Sequence, residues 1–329
     1  MENALLRIHQ LVTIFQTKGK SLPAVNGLSL TVGKREVLGI VGESGSGKSV
    51  TSLSVMRLVP RPGKIVKGEI WFDGTELLRL NPKEMCHIRG KSISMIFQDP
   101  MAALDPVYKC GEQIVEAIRL HEKVSTKAAL DKGIQLLKQV GIPHPERYIN
   151  AYPHELSGGM CQRIMIVIAL SCRPKLLIAD EPTTALDVTV QAQILDLLNR
   201  FRKEMDMSVM LITHDLGVVA ELADRIVVMY AGEVMEEGDV GSIFDHPVHP
   251  YTKGLLMSIP RLDQDDRRLY SIQGTVPNLD SMPEGCRFKP RCAEVCGDCK
   301  TGEPPMARVG EEHWVRCWKW TETDGGNSK

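Results

Sequence analysis

The sequence has no long hydrophobic run, no excess of one charge, no internal repeat and no low-complexity block. Its longest apolar stretch, Ile164 to Leu170, is far too short to cross a bilayer, so we expect no membrane-spanning helix. No apolar signal region follows Met1, which predicts a cytosolic chain. Lys plus Arg number 40 and Asp plus Glu 41, for a net charge of −1. Without a basic run, nothing in the charge pattern favours a nucleic acid partner.

One glycine-rich stretch organises the chain. Residues Gly42–Ser49, GESGSGKS, fit G-x-x-x-x-G-K-[ST], the phosphate-binding P-loop. A strand-like run, Glu36–Val41, precedes it and a helix-compatible run, Val50–Leu58, follows it, which disfavours the alternative of a glycine-rich turn with a lone lysine. The loop and the helix N-terminus present backbone N–H groups to a polyphosphate. We therefore expect Lys48 to reach the β- and γ-phosphates and Ser49 to ligate Mg²⁺.

The remaining pattern predicts an α/β fold. Short strands dominate the N-terminal region, a helical segment runs from Asp99 to Arg163, and strands then alternate with helices. The predicted strands are Leu5–His9, Leu11–Phe15, Leu28–Val32, Gly68–Gly74, Ser92–Phe97, Lys175–Glu181, Ser208–Thr213, Arg225–Met229 and Glu233–Glu237. The predicted later helices are Gly111–His121, Ser125–Val140 and Val190–Glu204, with Ser125 as an N-cap. Polar residues directly after these strands indicate a ligand site at the carboxyl edge of a sheet.

Two consecutive carboxylates end the predicted buried strand Lys175–Glu181. Asp180 is placed to hold Mg²⁺ together with Ser49, and Glu181 to act as general base on a water molecule. An acidic dipeptide is more often a solvated surface feature, but the apolar strand before it argues against that interpretation. Phe15, ahead of the P-loop on a predicted loop, either stacks on adenine or packs in the core; residue type alone does not decide.

A second anion site is indicated by Leu156–Arg163, where Ser-Gly-Gly precedes an apolar helix. Two phosphate sites on a chain with one P-loop are explained best if two chains share each nucleotide. The whole set resembles the ATP-binding cassette (ABC) family, whose signature motif faces ATP across a head-to-tail dimer. The motifs occur in the family's order from residue 1 to about 260: Gly42–Ser49, Gln98, Leu156–Met160, Leu176–Glu181, Ala185–Asp187 and His214.

The resemblance implies a fold, a reaction and a site. The fold is a P-loop NTPase (RecA-like) core with an antiparallel β subdomain and a helical insert at about 99–163. The reaction is ATP hydrolysis, with Glu181, His214, Lys48 and Gln98 as catalytic residues. The implied nucleotide contacts are Phe15, Gly42, Glu43, Ser44, Gly45, Ser46, Gly47, Lys48, Ser49, Val50, Gln98, Ser157, Gly158, Gly159, Asp180 and Asp187. Implied Mg²⁺ ligands are Ser49, Gln98 and Asp180.

Individual roles also follow from the resemblance. Phe15 corresponds to the adenine-stacking aromatic, and Gln98 to the residue that senses Mg²⁺ and couples to a membrane partner. Asp187 corresponds to the aspartate at the dimer seam, and His214 to the histidine that supports the γ-phosphate. Met160 stands where the family most often has Gln, which we expect to matter little because the neighbouring backbone donors remain.

The C-terminal sequence narrows the family. His246–Thr252 and Gly285–Cys292, with Gln98–Met101, resemble the ATPase subunits of dipeptide and oligopeptide importers. This implies a second ATPase subunit, usually a different chain, two transmembrane permease subunits, an extracytoplasmic peptide-binding protein and a peripheral position on the cytoplasmic face of the membrane. We predict three segments: a nucleotide-binding domain at 1–260, a cysteine-rich extension at 261–320 and a polar tail at 321–329. His246 and His249, interleaved with prolines, are more typical of a packed turn than of metal ligands.

Five of the nine cysteines crowd the extension. Four of them, Cys286, Cys292, Cys299 and Cys317, space as C-x5-C-x6-C-x17-C, with Cys296 outside that pattern. Some importer ATPases that the chain resembles bind a [4Fe–4S] cluster in this region, and four thiolates suit it; zinc or a metal-free tail of buried thiols are the alternatives. Basic residues around the cysteines would offset a cluster's negative charge, namely Arg287, Lys289, Arg291, Lys300, Arg316 and Lys319. Trp314, Trp318 and Trp320 would shield it.

Two other functions remain open on the sequence alone. The same ATPase role in an importer of nickel or a metal chelate is the alternative to peptide import, because cargo is chosen by other subunits. A soluble cassette ATPase acting on nucleic acid or ribosomes fits less well, since it would need a coiled-coil insert or two fused cassettes.

Overall fold

The structure, a computed structural model, describes residues 4–17, 19–184, 186–259 and 270–321. The chain divides into two compact units, each assembled from several segments. The first unit comprises 1–5, 33–36 and 79–212, and the second comprises 6–32, 37–78 and 213–329. The described part of the predicted extension thus belongs to the unit that carries the P-loop. The predicted boundary near 260 and all of the polar tail after Thr321 lie outside the described residues.

Over the described residues the chain forms twelve strands and eleven α-helices. The strands are β1 (Ala4–Thr17), β2 (Lys20–Gly33), β3 (Val37–Val41), β4 (Gly63–Phe72), β5 (Thr75–Glu76), β6 (Ile93–Ile96), β7 (Leu176–Asp180), β8 (Ser208–Thr213), β9 (Arg225–Tyr230), β10 (Glu233–Asp239), β11 (Met306–Arg308) and β12 (Trp314–Arg316). The helices are α1 (Lys48–Val55), α2 (Pro82–Ile88), α3 (Pro100–Ala103), α4 (Cys110–His121), α5 (Thr126–Gln139), α6 (Pro145–Tyr148), α7 (Gly158–Leu170), α8 (Val188–Met205), α9 (Leu216–Leu222), α10 (Val240–Asp245) and α11 (Pro250–Met257). None of the described helices is long and apolar enough to cross a membrane.

An antiparallel sheet of order β2-β1-β4-β5 contains the N-terminal strands. Strand β1 pairs with β4 from Leu6 opposite Phe72 to Phe15 opposite Gly63, with a register shift between His9 and Val12. The two predicted strands Leu5–His9 and Leu11–Phe15 are therefore one strand interrupted by a bulge. The bulge accommodates Gln10, whose φ of 48° breaks the alternation that the sequence pattern detects.

The second unit also contains five strands in the order β11-β12-β10-β9-β3. Strand β3 is fully buried and runs parallel to β9, whereas β9, β10 and β12 pair antiparallel. Parallel strands buried on both faces require near-continuous apolar sequence, which is what Val37–Val41 supplies. Strands β11 and β12 extend this sheet. The described part of the extension is therefore joined to β9 and β10, the strands that follow His214.

The first unit has a parallel arrangement of β8, β7 and β6. The helices α4, α5 and α7 pack against one another through buried apolar residues, among them Ile114, Leu137 and Ile164. The predicted helix over 125–140 is confirmed as α5, and Ser125 caps it by accepting a hydrogen bond from the Ala128 N–H at 3.2 Å.

An aromatic cluster joins the C-terminal segments to the core of the second unit. The rings of Tyr230, Tyr251 and Phe288 have centroids 4.8 to 5.3 Å apart, and all three are buried. The same apolar core contains Cys286 and Cys299. The extension therefore shares one hydrophobic core with the strands behind the P-loop.

Candidate functional site

The P-loop begins where β3 ends and closes at the first turn of α1. Gly42 (φ 153°) and Gly47 (φ 97°) have backbone conformations that other residues rarely adopt. A Cβ on Gly42 would collide with the Met229 carbonyl oxygen, and one on Gly47 would lie 2.7 Å from the Ala24 carbonyl oxygen. Glycine is required at both positions because the loop passes this close to neighbouring backbone.

Lys48 folds back over the loop. Its Nζ donates hydrogen bonds to the carbonyl oxygens of Gly42 at 2.6 Å and Glu43 at 3.0 Å, and the side chain is buried. The N-cap of α1, Gly47, has no side-chain cap, and Ser49 and Val50 form the first turn. A cation and a helix N-terminus thus converge on one loop, which is the arrangement that binds phosphate.

Glu43 is fixed by two residues of the same unit. Its backbone N–H donates to the Tyr251 hydroxyl at 2.9 Å. Its carboxylate accepts two hydrogen bonds from the Arg291 guanidinium, at 2.5 and 3.0 Å. Sequence reasoning missed Tyr251 and Arg291, because they lie 208 and 248 residues from Glu43 and no local pattern links them.

The two carboxylates of the first unit have different surroundings. Asp180 ends β7 and is 4% exposed. Glu181 turns away from the strand with φ 48°, and its N–H donates to the Ile212 carbonyl oxygen at 2.8 Å. Its Oε2 accepts hydrogen bonds from Gln98 Nε2 at 3.0 Å and from Thr184 Oγ1 at 2.9 Å. The structure therefore brings together Glu181 and Gln98, two predicted site residues that are 83 positions apart.

The signature segment forms the N-terminus of α7. Ser157 caps this helix by accepting a hydrogen bond from the Met160 N–H at 3.3 Å, and Gly158 has open space around it. Gln162, which sequence reasoning missed, donates to the Pro182 carbonyl oxygen at 2.6 Å and so ties α7 to the loop after Glu181. Asp187 is exposed and caps α8 through the Val190 N–H at 2.9 Å; Ala185 lies outside the described residues.

Phe15 and His214 belong to the unit that carries the P-loop. Phe15 lies within β1, as the predicted strand Leu11–Phe15 requires, and not on a loop; it is half-buried, and its ring lies against Gly63 on β4. His214 is exposed and directly follows β8. Gln98, Ser157, Gly158, Gly159, Asp180, Glu181 and Asp187 belong to the other unit.

The predicted four-cysteine ligand set is not confirmed. Among the described residues no group of three or more His, Cys, Asp or Glu side chains is arranged to hold a metal ion. The short sulfur contact, 3.2 Å, joins Cys299 to Cys296, the cysteine outside the predicted set. Burial raises the pKa of Cys286 to about 11 and also raises the pKa of Cys292, Cys299 and Cys317, which favours thiols over thiolates.

Several basic residues predicted to offset a cluster's charge have other partners. Arg287 pairs with Glu233 at 2.8 Å, Lys319 with Glu294 at 2.7 Å, and Arg291 with Glu43. Arg316 donates to the carbonyl oxygens of Val234 and Pro304, and Lys289 to that of Glu284. Five of the six basic residues named for the cluster therefore have other hydrogen-bond or ion-pair partners.

Comparison with known proteins agrees with this geometry. Residues 25–184 match the family model "ABC transporter", and residues 235–299 match "Oligopeptide/dipeptide transporter, C-terminal region". The oligopeptide transport ATP-binding protein OppD of Bacillus subtilis is 51% identical over 95% of this chain and 88% of its own length. The dipeptide transport ATP-binding protein DppD of Haemophilus influenzae is 50% identical over 95% of both chains.

Solved structures support the predicted α/β P-loop fold. A dimeric ATP-binding cassette in a post-hydrolysis state bound to ADP and Pi superposes with a TM-score of 0.65 at 27% identity, over 71% of this chain and 98% of that one. The fold, the site geometry and the similarity over nearly the whole length agree. The chain therefore belongs to the ABC transporter family, among ATPases of the oligopeptide and dipeptide importer type.

Proposed function

We propose that the chain is the ATP-hydrolysing subunit that powers the import of dipeptides or oligopeptides through a membrane permease. The observation that carries the proposal is similarity over 95% of the chain, extension included, to relatives named as oligopeptide and dipeptide transport ATP-binding proteins. As a member of this family the chain is an ATPase. The proposed role is that its ATP hydrolysis drives peptide import.

The P-loop residues Gly42–Ser49 supply backbone N–H groups for the phosphates, with Val50 in the first turn of α1. Lys48 at present satisfies the carbonyl oxygens of Gly42 and Glu43, and phosphate oxygens replace these acceptors when ATP binds. Phe15 stacks on the adenine. The phosphate assignments are supported by the position of Lys48 over the loop and by the N-terminus of α1, which has no side-chain cap.

Ser49, Asp180 and Gln98 offer the oxygen donors that Mg²⁺ prefers, so their chemistry fits this ion. Gln98 uses its amide N–H on Glu181, which leaves its amide oxygen for the cation. When bound, Mg²⁺ neutralises phosphate charge. The residues of this chain then bind and orient the nucleotide.

Glu181 acts as the general base on the attacking water. Gln98 and Thr184 both donate to Oε2, so they fix the orientation of the carboxylate that acts on the water. His214 supports the γ-phosphate. We propose that the Ser157–Gly159 segment and Asp187 serve ATP bound by a partner cassette, which the exposure of Gly158 supports.

The proposed partners are a second ATPase subunit, two permease subunits and an extracytoplasmic peptide-binding protein, with this chain on the cytoplasmic face of the membrane. Exposed apolar side chains in the segment 97–120, which contains Gln98, support a permease-docking surface; they are Phe97, Met101, Val107, Tyr108 and Leu120. An importer of nickel or a metal chelate would use the same ATPase residues, so it differs only in cargo.

The test is transport by the assembled complex in proteoliposomes. Uptake of labelled di- and oligopeptides that requires ATP and is lost in Glu181→Gln supports the proposal. ATP-dependent nickel uptake without peptide uptake would assign the alternative cargo, and ATPase activity that no permease or cargo stimulates would refute the importer role.

We propose separately that residues 261–320 form a distinct extension in which Cys286, Cys292, Cys299 and Cys317 hold a [4Fe–4S] cluster, with zinc as the alternative. The supporting observation is that Cys286 and Cys299 lie in one hydrophobic cluster with Cys292 packed against it. A bound cation would offset the cost of deprotonating them. Visible absorption with iron and zinc analysis after anaerobic purification tests this, with Cys286→Ser against the exposed Cys86→Ser as control. About four irons per chain, lost only in Cys286→Ser, is the expected result.

A further inference from the structure

The side chain of Arg291 connects the C-terminal extension to the P-loop. Its guanidinium donates two hydrogen bonds to the Glu43 carboxylate, and it donates further bonds to the carbonyl oxygens of Gln273 at 2.9 Å and Ile272 at 3.3 Å. It also lies over the ring of Tyr230, 5.7 Å from the centroid. The side chain is only 3% exposed, so this is a fixed, buried contact rather than a loose surface pair.

Glu43 transmits this contact directly to the groups that bind phosphate. It is the second residue of the P-loop, and its carbonyl oxygen accepts a hydrogen bond from Lys48 Nζ. Its N–H is held by the Tyr251 hydroxyl, which is itself part of the buried aromatic cluster. The backbone of this residue is therefore fixed on one side by Tyr251 and its side chain is fixed on the other by Arg291.

The charge of Glu43 gives its ion pair with Arg291 an electrostatic role in addition to a structural one. A carboxylate in a loop that binds polyphosphate repels the ligand unless a cation compensates it. Bidentate pairing with arginine compensates a carboxylate better than lysine would, because the planar guanidinium matches both oxygens. The carboxylate is 31% exposed, and Arg291 is the cation that pairs with it.

We infer that Arg291 is a positioning residue for ATP: the C-terminal extension neutralises Glu43 and holds the P-loop for polyphosphate binding. The inference rests on the proposed ATP site and assigns the extension a direct part in it. Nucleotide affinity should then depend on a residue adjacent to Cys292, far along the chain from every nucleotide motif.

The experiment measures ATP, ADP and adenosine binding to the purified full-length chain by calorimetry, at low and high salt. The variants are Arg291→Gln, Glu43→Gln and the double variant. The control is Lys319→Gln, which breaks an exposed ion pair of the same extension, with Glu294, away from the P-loop. Thermal unfolding of each variant is measured in parallel.

Arg291→Gln should weaken ATP binding about ten-fold at low salt, because one carboxylate charge of the P-loop is then uncompensated, and less at high salt. ADP should be affected less and adenosine little, because the repulsion grows with phosphate charge. Glu43→Gln should bind ATP as well as or better than wild type, and the double variant should recover to within about two-fold of wild type. Lys319→Gln should match wild type.

Two outcomes would overturn the inference. One is wild-type ATP affinity in Arg291→Gln; the other is an equal loss in Arg291→Gln and the double variant, since a merely structural role predicts no rescue. If Arg291→Gln does not fold, weaker ATP binding by Glu43→Gln alone overturns the electrostatic argument. A wild-type chain that binds no ATP would refute the proposed function itself, whereas wild-type binding with unaffected variants refutes only this inference.

Discussion

His249 should make the folded chain lose stability as pH falls below neutral. The side chain is buried, and its Nδ1 accepts a hydrogen bond from the Tyr251 N–H at 3.0 Å, capping α11. Protonation would place a hydrogen on that nitrogen and break the cap. Burial lowers the pKa of His249 to about 4, against the attraction of Glu236 and Glu294, while Lys253 lowers it further.

The sign follows from the direction of this shift. Because the folded-state pKa lies below the unfolded value of 6.5, the unfolded chain binds a proton first as pH falls. The stabilisation is therefore complete above pH 6.5 and is lost progressively down to about 4. At 1.36 kcal/mol per pKa unit, the total is about 3 kcal/mol, of which about 2 kcal/mol is lost between pH 8 and pH 5.

The assay is urea unfolding of wild type and His249→Asn at pH 8, 7, 6 and 5, followed by circular dichroism. Asparagine keeps an N-cap acceptor and does not titrate. We expect the variant to be less stable at pH 8 but to lose about 2 kcal/mol less than wild type on going to pH 5. His246→Asn, at an exposed neighbour, is the control and should keep the wild-type pH dependence. Equal pH dependence in wild type and His249→Asn would refute the reasoning.

Three further predictions concern hydrolysis, the dimer and helix capping. Glu181→Gln should lower the steady-state ATPase rate by at least about a hundred-fold with ATP affinity retained, by phosphate-release and binding assays; a rate near that of the control Glu204→Gln would contradict its role as base. Gly158→Asp has room for its side chain but places negative charge at the N-terminus of α7. Introduced into the Glu181→Gln variant, it should abolish the ATP-dependent dimers seen in size-exclusion chromatography. Persistence of these dimers would argue against the proposed partner contact. Ser125→Ala should cost about 1 kcal/mol of unfolding free energy in urea titrations, and no loss would mean that the cap is unimportant.

Much of the fold could be predicted because its signals are local. The P-loop, the helix capped by Ser125 and the buried strand that ends at Asp180 each depend on residues within a few positions of one another. Glycine conformations, side-chain caps and hydrophobic periodicity act over such distances, so a single sequence carries them. The bulge at Gln10 was missed since its cause is pairing with another strand, which a sequence pattern does not contain.

The sequence by itself determined where the charged side chains, the hydrogen-bond donors and the conformationally free glycines lie along the chain. These residues identify the site as that of an ATPase. Only the tertiary structure decided which of them meet. Gln98 and Glu181, and Glu43 and Arg291, pair across 83 and 248 positions, and Cys299 contacts Cys296 instead of a cysteine of the predicted set. Long-range pairing depends on how strands and helices pack around a shared core, because burial of apolar surface fixes backbone positions before any one polar contact is made.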